Sequence, residues 1–491
     1  KMMSKLLTGA PLLLLLASNP DSVSAGGCPF GFDQKTEEVE SNQEVESEVE
    51  TTSEATSQRR SLRTDMYAVD LFECPYGITE TKKDFAPVDY RRISFLIHEY
   101  YDIFKEKDYK AEGLFAGCIL RMAGHDFMDF RMTENGPTGG SDGCTHFPDR
   151  ANGGLIKCLS EYRFPEIYAK VCKDISLADF LVVAAETVVA RTTAAAHSDS
   201  DHFAEGTMAQ DFRSKFRFGR ETRATCEDSI NKVASPESGC EGPLGLRGVF
   251  IENIYGKFPE AMAWRLTAAI SGAHTLGGAA PERSGYVGYW GSRDTTGKFD
   301  NDYFRSMLLK GWGPYHITEE GKPDKNEWYR IDAGSDPYTS HMQMMLDSDL
   351  CLAFRTGGPH PEQLLAKDSN CCAWIEPKIA FLDGEMGEFC GLPYKNTLAT
   401  KPFKKFDCCG YQDQGNDIAD CNDIRHPNGY AYDDVLDFAQ NQDHFFEAYK
   451  LAWKIATENG HEKYLTPLYR PGVDVDLNAL KGGHDAVTFT H

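Results

Sequence analysis

Arg121-Met-Ala-Gly-His125 is the sharpest chemical feature of the chain. An arginine four residues before a histidine puts both side chains on one face of a helix. That pairing suits peroxide heterolysis: a neutral imidazole takes the proton from the near oxygen and returns it to the leaving one, while a guanidinium stabilises the charge that develops there. Taken alone, most such pairs are surface or structural.

A second feature is Ile270-Ser-Gly-Ala-His274-Thr-Leu-Gly277, a histidine closing an apolar segment and followed by small residues. His274 reads either as a satisfied core histidine or as an iron ligand, with Gly and Ala making room for a flat macrocycle. An axial histidine needs an acceptor behind it to fix its tautomer. Asp349, in the apolar run MLDSDLCL, offers one, because a buried acid must be paired.

The elements that must hold these residues are mostly helical. Leu114, Cys118, Arg121 and His125 share one helix face, and residues 174–190 (DISLADFLVVAAETVVA) form an apolar helix that must be buried. A third helix is expected over 262–274. Phe445, Tyr449, Ala452 and Ala456 mark a fourth, stopped at Asn459-Gly460. Clear strands are few. Residues 192–245 are polar and read as a long loop. Residues 351–432 hold seven cysteines in a Gly/Asp/Asn/Pro-rich context, read as a disulfide-stapled insertion rather than a metal site.

The 491 residues are 41% hydrophobic and carry a net charge of −24, which excludes a wholly disordered chain and disfavours nucleic-acid binding. Residues 1–25 carry Lys1 and Lys5, an apolar core over 12–17 and the small residues Val23-Ser24-Ala25. They read as a signal peptide, with a buried N-terminal helix as the other reading. That predicts a secreted or endomembrane-derived location. Residues 26–64, with eight glutamates over 36–58, are expected to be a disordered pro-region or linker. No other run of about 18 apolar residues occurs, so no stable membrane insertion is expected. The remaining divisions are a main domain over 65–350, the Cys-rich insertion, a closing helix over 433–465 and a tail over 466–491.

RMAGHD, the 174–190 helix, SGAHTLG and MLDSDLCL occur in the order found in the plant-type haem peroxidase superfamily, which the chain resembles over about 90–350 and 434–460. The resemblance implies a mostly α fold of two helical lobes sandwiching haem b, and reduction of hydrogen peroxide at the expense of ascorbate, a phenol or a cationic redox protein. By motif, Arg121, His125 and Asn152 (in ANGGL) would form the distal group, His274 the proximal iron ligand, and Asp349 its carboxylate partner. The closest class is that of cytochrome c and ascorbate peroxidases. There Trp290 matches a proximal tryptophan, with a mere packing role as the alternative, Arg283 an ascorbate-binding arginine, and Ser284 a partner of a haem propionate.

Some positions depart from that class. Gly124 replaces the aromatic residue before the distal histidine, leaving a roomier pocket or one filled by Phe127 or Phe130. Gly113 stands where ascorbate peroxidases carry a second ascorbate-binding lysine. Asp126, Gly140 and Asp142 resemble the calcium site of secreted peroxidases, with Cys144 in place of a ligating serine. Thr275, Thr295 and Asp300 match a proximal calcium or potassium site. The rival to an enzyme is a secreted binding or matrix protein that keeps the scaffold with weak or no catalysis. A catalase-peroxidase is disfavoured by Gly124.

Overall fold

The computed structural model describes residues 66–105, 111–197, 207–281, 283–291, 295–309, 312–318, 325–330, 343–355, 365–366 and 429–469. The signal peptide and acidic segment expected over 1–64, most of the Cys-rich insertion and nearly all of the 466–491 tail lie outside the described residues.

The apolar 174–190 stretch becomes the central helix, Leu177–His197. Its side chains from Leu177 to Ala190 are all buried, which is why no amphipathic period was legible there. The helices Pro87–Lys105, Ala111–Phe127 and Met208–Lys215 pack around it. On the other side of the core, Gln442–Glu458 lies against Glu260–Ser271. The described chain is mostly helical. Its strands are short: a hairpin of 131–133 with 136–138, a pair of 217–218 with 466–467, and a three-stranded antiparallel sheet of 312–317, 325–330 and 344–345. No described helix is long and apolar enough to cross a membrane.

Three sequence expectations need correction. The 192–245 stretch is not one loop. The central helix runs on to His197, and Met208–Lys215 is a helix capped by Thr207, whose hydroxyl accepts from the Gln210 amide. Met208, Ala209 and Phe212 are its buried face, hidden by the polar residues around them. The same stretch is pinned by a buried ion pair, Arg220 to Asp179 at 2.7 Å, with Asp179 also accepting from Thr81 and the Gly219 amide. The helix expected over 262–274 is α only over Glu260–Ser271. His274 rides on a tighter 3-10 turn, Gly272–Thr275. The closing helix is two helices, Tyr432–Gln440 and Gln442–Glu458, broken where Asn441 accepts from the Asp443 and His444 amides.

Four disulfides cross the described fold: Cys74–Cys172, Cys118–Cys158, Cys144–Cys226 and Cys240–Cys351. Cys351, counted by sequence with the insertion, is thus bonded outside it. The other six cysteines of 351–432 lie outside the described residues.

Candidate functional site

One cavity collects the sequence-predicted catalytic, haem-binding and substrate residues other than Asn152. Its empty volume, mouth included, is about 1540 Å³, and Arg121, His125, His274, Arg283, Ser284, Trp290 and Asp349 all line it. Leu114 and Cys118 line it too, so the whole predicted face of the Ala111–Phe127 helix is turned inward.

On that helix, His125 is held from behind. The Asn152 amide nitrogen donates to the His146 carbonyl at 2.7 Å, so its oxygen is left to face His125 Nδ1 at 2.8 Å. Nδ1 therefore carries the proton and donates, and Nε2 keeps its lone pair. Burial, then the Arg121 charge, pushes the His125 imidazole down to about 3 against a weaker opposing effect of Asn152, so the ring is neutral at physiological pH. Arg121 donates at 3.0 Å to the carbonyls of both Ala151 and Gly153. Burial lowers its pKa to about 10, which still leaves it charged. One 3-10 turn, Arg150–Asn152, and the glycine after it thus position both groups.

The His274 side is built differently. Its Nδ1 lies 2.8 Å from Asp349 Oδ1, and Asp349 is 1% exposed. The carboxylate also accepts from Tyr303 Oη at 2.8 Å, Trp290 Nε1 at 2.7 Å and the Leu346 amide at 2.7 Å. Four donors on two oxygens satisfy this buried carboxylate and hold it in place. The Trp290 ring stacks on His274 with centroids 4.4 Å apart. Tyr303 is a site residue that sequence reading missed. It sits on the Asp302–Leu309 helix, and nothing in its neighbourhood marks it. The other acid of the motif, Asp347, turns away and accepts from Trp328 Nε1 and the Ala366 amide.

The departures have structural reasons. At Gly124, which lines the cavity, an added Cβ would meet only Met128 Cε at 3.8 Å. Met128 and Phe127 line the space there, whereas Phe130 is buried outside the lining. At Gly113 an added Cβ would stand 2.6 Å from the Thr296 carbonyl oxygen, and at Gly117 3.0 Å from Gly277 Cα. The helix crosses the backbone of residues 276–277 and 296–297 so closely that no lysine fits at 113. Arg283 is ion-paired to Glu161 at 3.0 Å and lies over the Tyr162 ring.

The cation candidates gather only in part. Both Asp126 oxygens accept backbone amides, from Gly143 and Cys144, and Asp142 accepts from Cys144 and pairs with Arg223. The Gly140 carbonyl accepts from the Asp142 amide, and Cys144 is in a disulfide. Burial, with Asp142 and Asp129 adding to it, pushes the Asp126 carboxyl up. Each Asp126 oxygen thus already accepts one amide, and a guanidinium lies beside Asp142. On the other side, Thr275 donates to Asp300 and Thr295 to Asp302, whose amide donates to Asp300. Burial raises Asp300 to about 6. Among the described residues no three acidic, histidine or cysteine side chains converge as metal ligands.

The cavity itself fits a haem. Its lining is largely apolar, with Leu114, Leu120, Leu246, Phe250, Ile270 and Leu276 among it, while Arg150, Arg283 and Lys325 supply positive charge for a group bearing carboxylates. The buried Ser284 hydroxyl lines it without a partner among the described residues. His274, fixed at Nδ1 by a carboxylate, offers Nε2 as an iron ligand.

No protein-family model matches the chain. A protein of Gibberella zeae named as a candidate heme-binding peroxidase is 33% identical over 106 residues, 22% of this chain and 29% of that one. Two proteins of Oryza sativa subsp. japonica, named probable peroxisomal L-ascorbate peroxidases 4 and 3, are 42% identical over 71 residues (14% of this chain, 21% of the relative) and 58% identical over 79 residues (15% and 24%). The chain therefore matches less than a third of the length of each of these relatives. Over part of its length, it is similar to haem-binding and ascorbate peroxidases.

Proposed function

We propose that this chain is a haem-dependent peroxidase of two helical lobes, reducing hydrogen peroxide to water with electrons from a small organic reductant or a cationic redox protein. One observation carries the reading: two histidines line one cavity, each fixed at Nδ1, one by a neutral amide beside an arginine and the other by a buried carboxylate. Bound at His274, haem would supply the iron and the two electrons that break the O–O bond, and would store the two oxidising equivalents taken from peroxide.

The chain's own groups supply the proton handling. His125 Nε2 takes the proton from the near oxygen of the peroxide, a role open to it because its pKa is held near 3. Arg121, its charge locked in place by two carbonyls, stabilises negative charge on the departing oxygen. His125 then returns the proton to that oxygen, which leaves as water. Asn152 keeps the imidazole in the tautomer that both transfers need. Asp349 makes His274 a stronger donor by accepting its Nδ1 proton in a hydrogen bond. The four disulfides among the described residues support an oxidising compartment as the setting.

The test is the optical spectrum of the haem-loaded protein before and after one equivalent of hydrogen peroxide. A ferric Soret band that shifts within seconds, and returns when a phenol or ascorbate is added, is the expected result. A protein that takes up no haem, or whose spectrum ignores peroxide, overturns the reading in favour of a binding protein on the same scaffold.

A further inference from the structure

Glu186 stands in the middle of the central helix, flanked by the buried Val182, Val183, Ala185, Val188 and Val189, and is itself only 5% exposed. A carboxylate in such surroundings must be paired, and it is paired unusually. Trp453 Nε1 donates to its Oε1 at 3.2 Å, and Tyr90 Oη donates to its Oε2 at 2.8 Å. Indole and phenol are among the side chains most easily oxidised, and each holds its proton against a different oxygen of one carboxylate.

The position of this group matters as much as its composition. Trp453 lines the cavity described above and also a cleft outside it that includes Glu186, Arg217 and Lys454. Tyr449, one turn earlier on the same helix, lines the cavity as well. Its ring is stacked with Trp453 at 16°, and its buried hydroxyl has no partner among the described residues. Tyr90, on the far side of Glu186, lines a separate small cleft with Ser94 and His98. A line of oxidisable rings thus leads out of the cavity, through one acid, to a buried tyrosine beside a separate small cleft.

Loss of an electron makes an indole N–H or a phenol O–H strongly acidic, so oxidation is easy only where a base lies within hydrogen-bond reach. Glu186 is that base for both rings. Burial raises its carboxyl to about 7, making it a better proton acceptor than an ordinary carboxylate.

We propose that Trp453, Glu186 and Tyr90 form an electron relay that feeds the cavity from outside. This rests on the peroxidase reading. The oxidant is the haem group after peroxide has taken two electrons from it. One electron leaves Trp453 for the cavity, and the indole proton passes to Glu186 Oε1, giving a neutral indolyl radical. Tyr90 then returns an electron to the indole. Its own proton moves onto Oε2 while Oε1 gives its proton back to Trp453 Nε1, so Glu186 now holds the proton that Tyr90 lost. The remaining tyrosyl radical is restored by one electron from an external one-electron reductant and by that proton returning from Oε2, and the carboxylate then ends as it began.

The experiment is electron paramagnetic resonance of the full-length haem-loaded protein, frozen after one equivalent of hydrogen peroxide without donor, with the Soret band followed in parallel. The wild type is expected to show a tyrosyl signal. Tyr90→Phe, which removes one hydroxyl and spares the core, converts that signal to a tryptophanyl one. Trp453→Phe and Glu186→Gln each abolish the tyrosyl signal while the Soret response to peroxide is retained. A radical that is unchanged in Tyr90→Phe and Trp453→Phe but lost in Trp290→Phe overturns the relay and leaves the peroxidase reading intact. A wild-type Soret band indifferent to peroxide overturns both.

Discussion

The cavity has two histidines and treats them in opposite ways. His125 is backed by a neutral amide and crowded by a guanidinium, so its ring is kept from protonating. His274 is backed by a carboxylate that four donors hold in place, so electron density is pushed toward its free nitrogen. On the proposed function, the same side chain serves as a proton shuttle in one place and as a metal ligand in the other. The difference lies wholly in what holds Nδ1 and in which charge sits nearby.

Removing the shuttle has the largest expected effect. His125→Ala should slow the reaction with peroxide by about 10²- to 10⁴-fold, while haem uptake, which depends on His274, is unchanged. Stopped-flow measurement of the Soret change checks this, and a loss below tenfold would mean that His125 is not the base. The pH profile sharpens the comparison. The neutral imidazole is the active form and its pKa is depressed to about 3, so the wild-type rate stays level from neutral pH downward and falls only as pH approaches that value. Since the Arg121 charge is one cause of the depression, Arg121→Ala should move the fall to higher pH.

Weakening the push on the other side should cost less. Asp349→Asn keeps the shape but replaces one acceptor oxygen by an amide that donates toward groups that are themselves donors. At least one of Tyr303, Trp290, the Leu346 amide and His274 Nδ1 then loses its partner, at about 1–3 kcal/mol of stability. Partners of this kind behind a metal ligand typically contribute about 10- to 100-fold in affinity or activity. Haem affinity measured by titration and the midpoint of chemical unfolding should both fall. If neither moves, Asp349 is not what fixes His274.

The two sides also differed in how readable they were. On the His125 side, Arg121 and His125 were legible because they are local, an i, i+4 pair on one helix, whereas Asn152 followed only from the family resemblance. On the His274 side, an acid inside an apolar run announced Asp349, yet Tyr303 carried no mark, because its hydroxyl reaches the carboxylate only through the packing of a separate helix. Glu186 had the same signature as Asp349, an acid in an apolar run, and was read past as part of a buried helix. Its partners Tyr90 and Trp453 lie 96 and 267 residues away, so only the fold brings them together. The helix Met208–Lys215 was hidden for the opposite reason: three buried apolar residues within a polar stretch are too few to show a period. Cysteine counting gave an oxidised protein but no connectivity, and it assigned Cys351 to the insertion when its partner is Cys240.

The smallest expected effect comes from a covalent tie on the His125 side. Cys118 and Cys158 both line the cavity and are bonded to each other. Cys118 lies one turn before Arg121, and Cys158 lies on the helix Leu155–Glu161 that follows the turn carrying Ala151, Asn152 and Gly153. The bond therefore clamps together the helix that bears Arg121 and His125 and the segment that orients them. Replacing both cysteines by alanine should lower stability by about 2–4 kcal/mol, read from the unfolding midpoint. The rate with peroxide should fall by less than in Asp349→Asn, because the hydrogen bonds of Arg121 to Ala151 and Gly153, and of Asn152 to His125 and His146, remain to hold the geometry. A rate loss as large as that of His125→Ala would mean that these hydrogen bonds do not set the pocket by themselves and that the disulfide does.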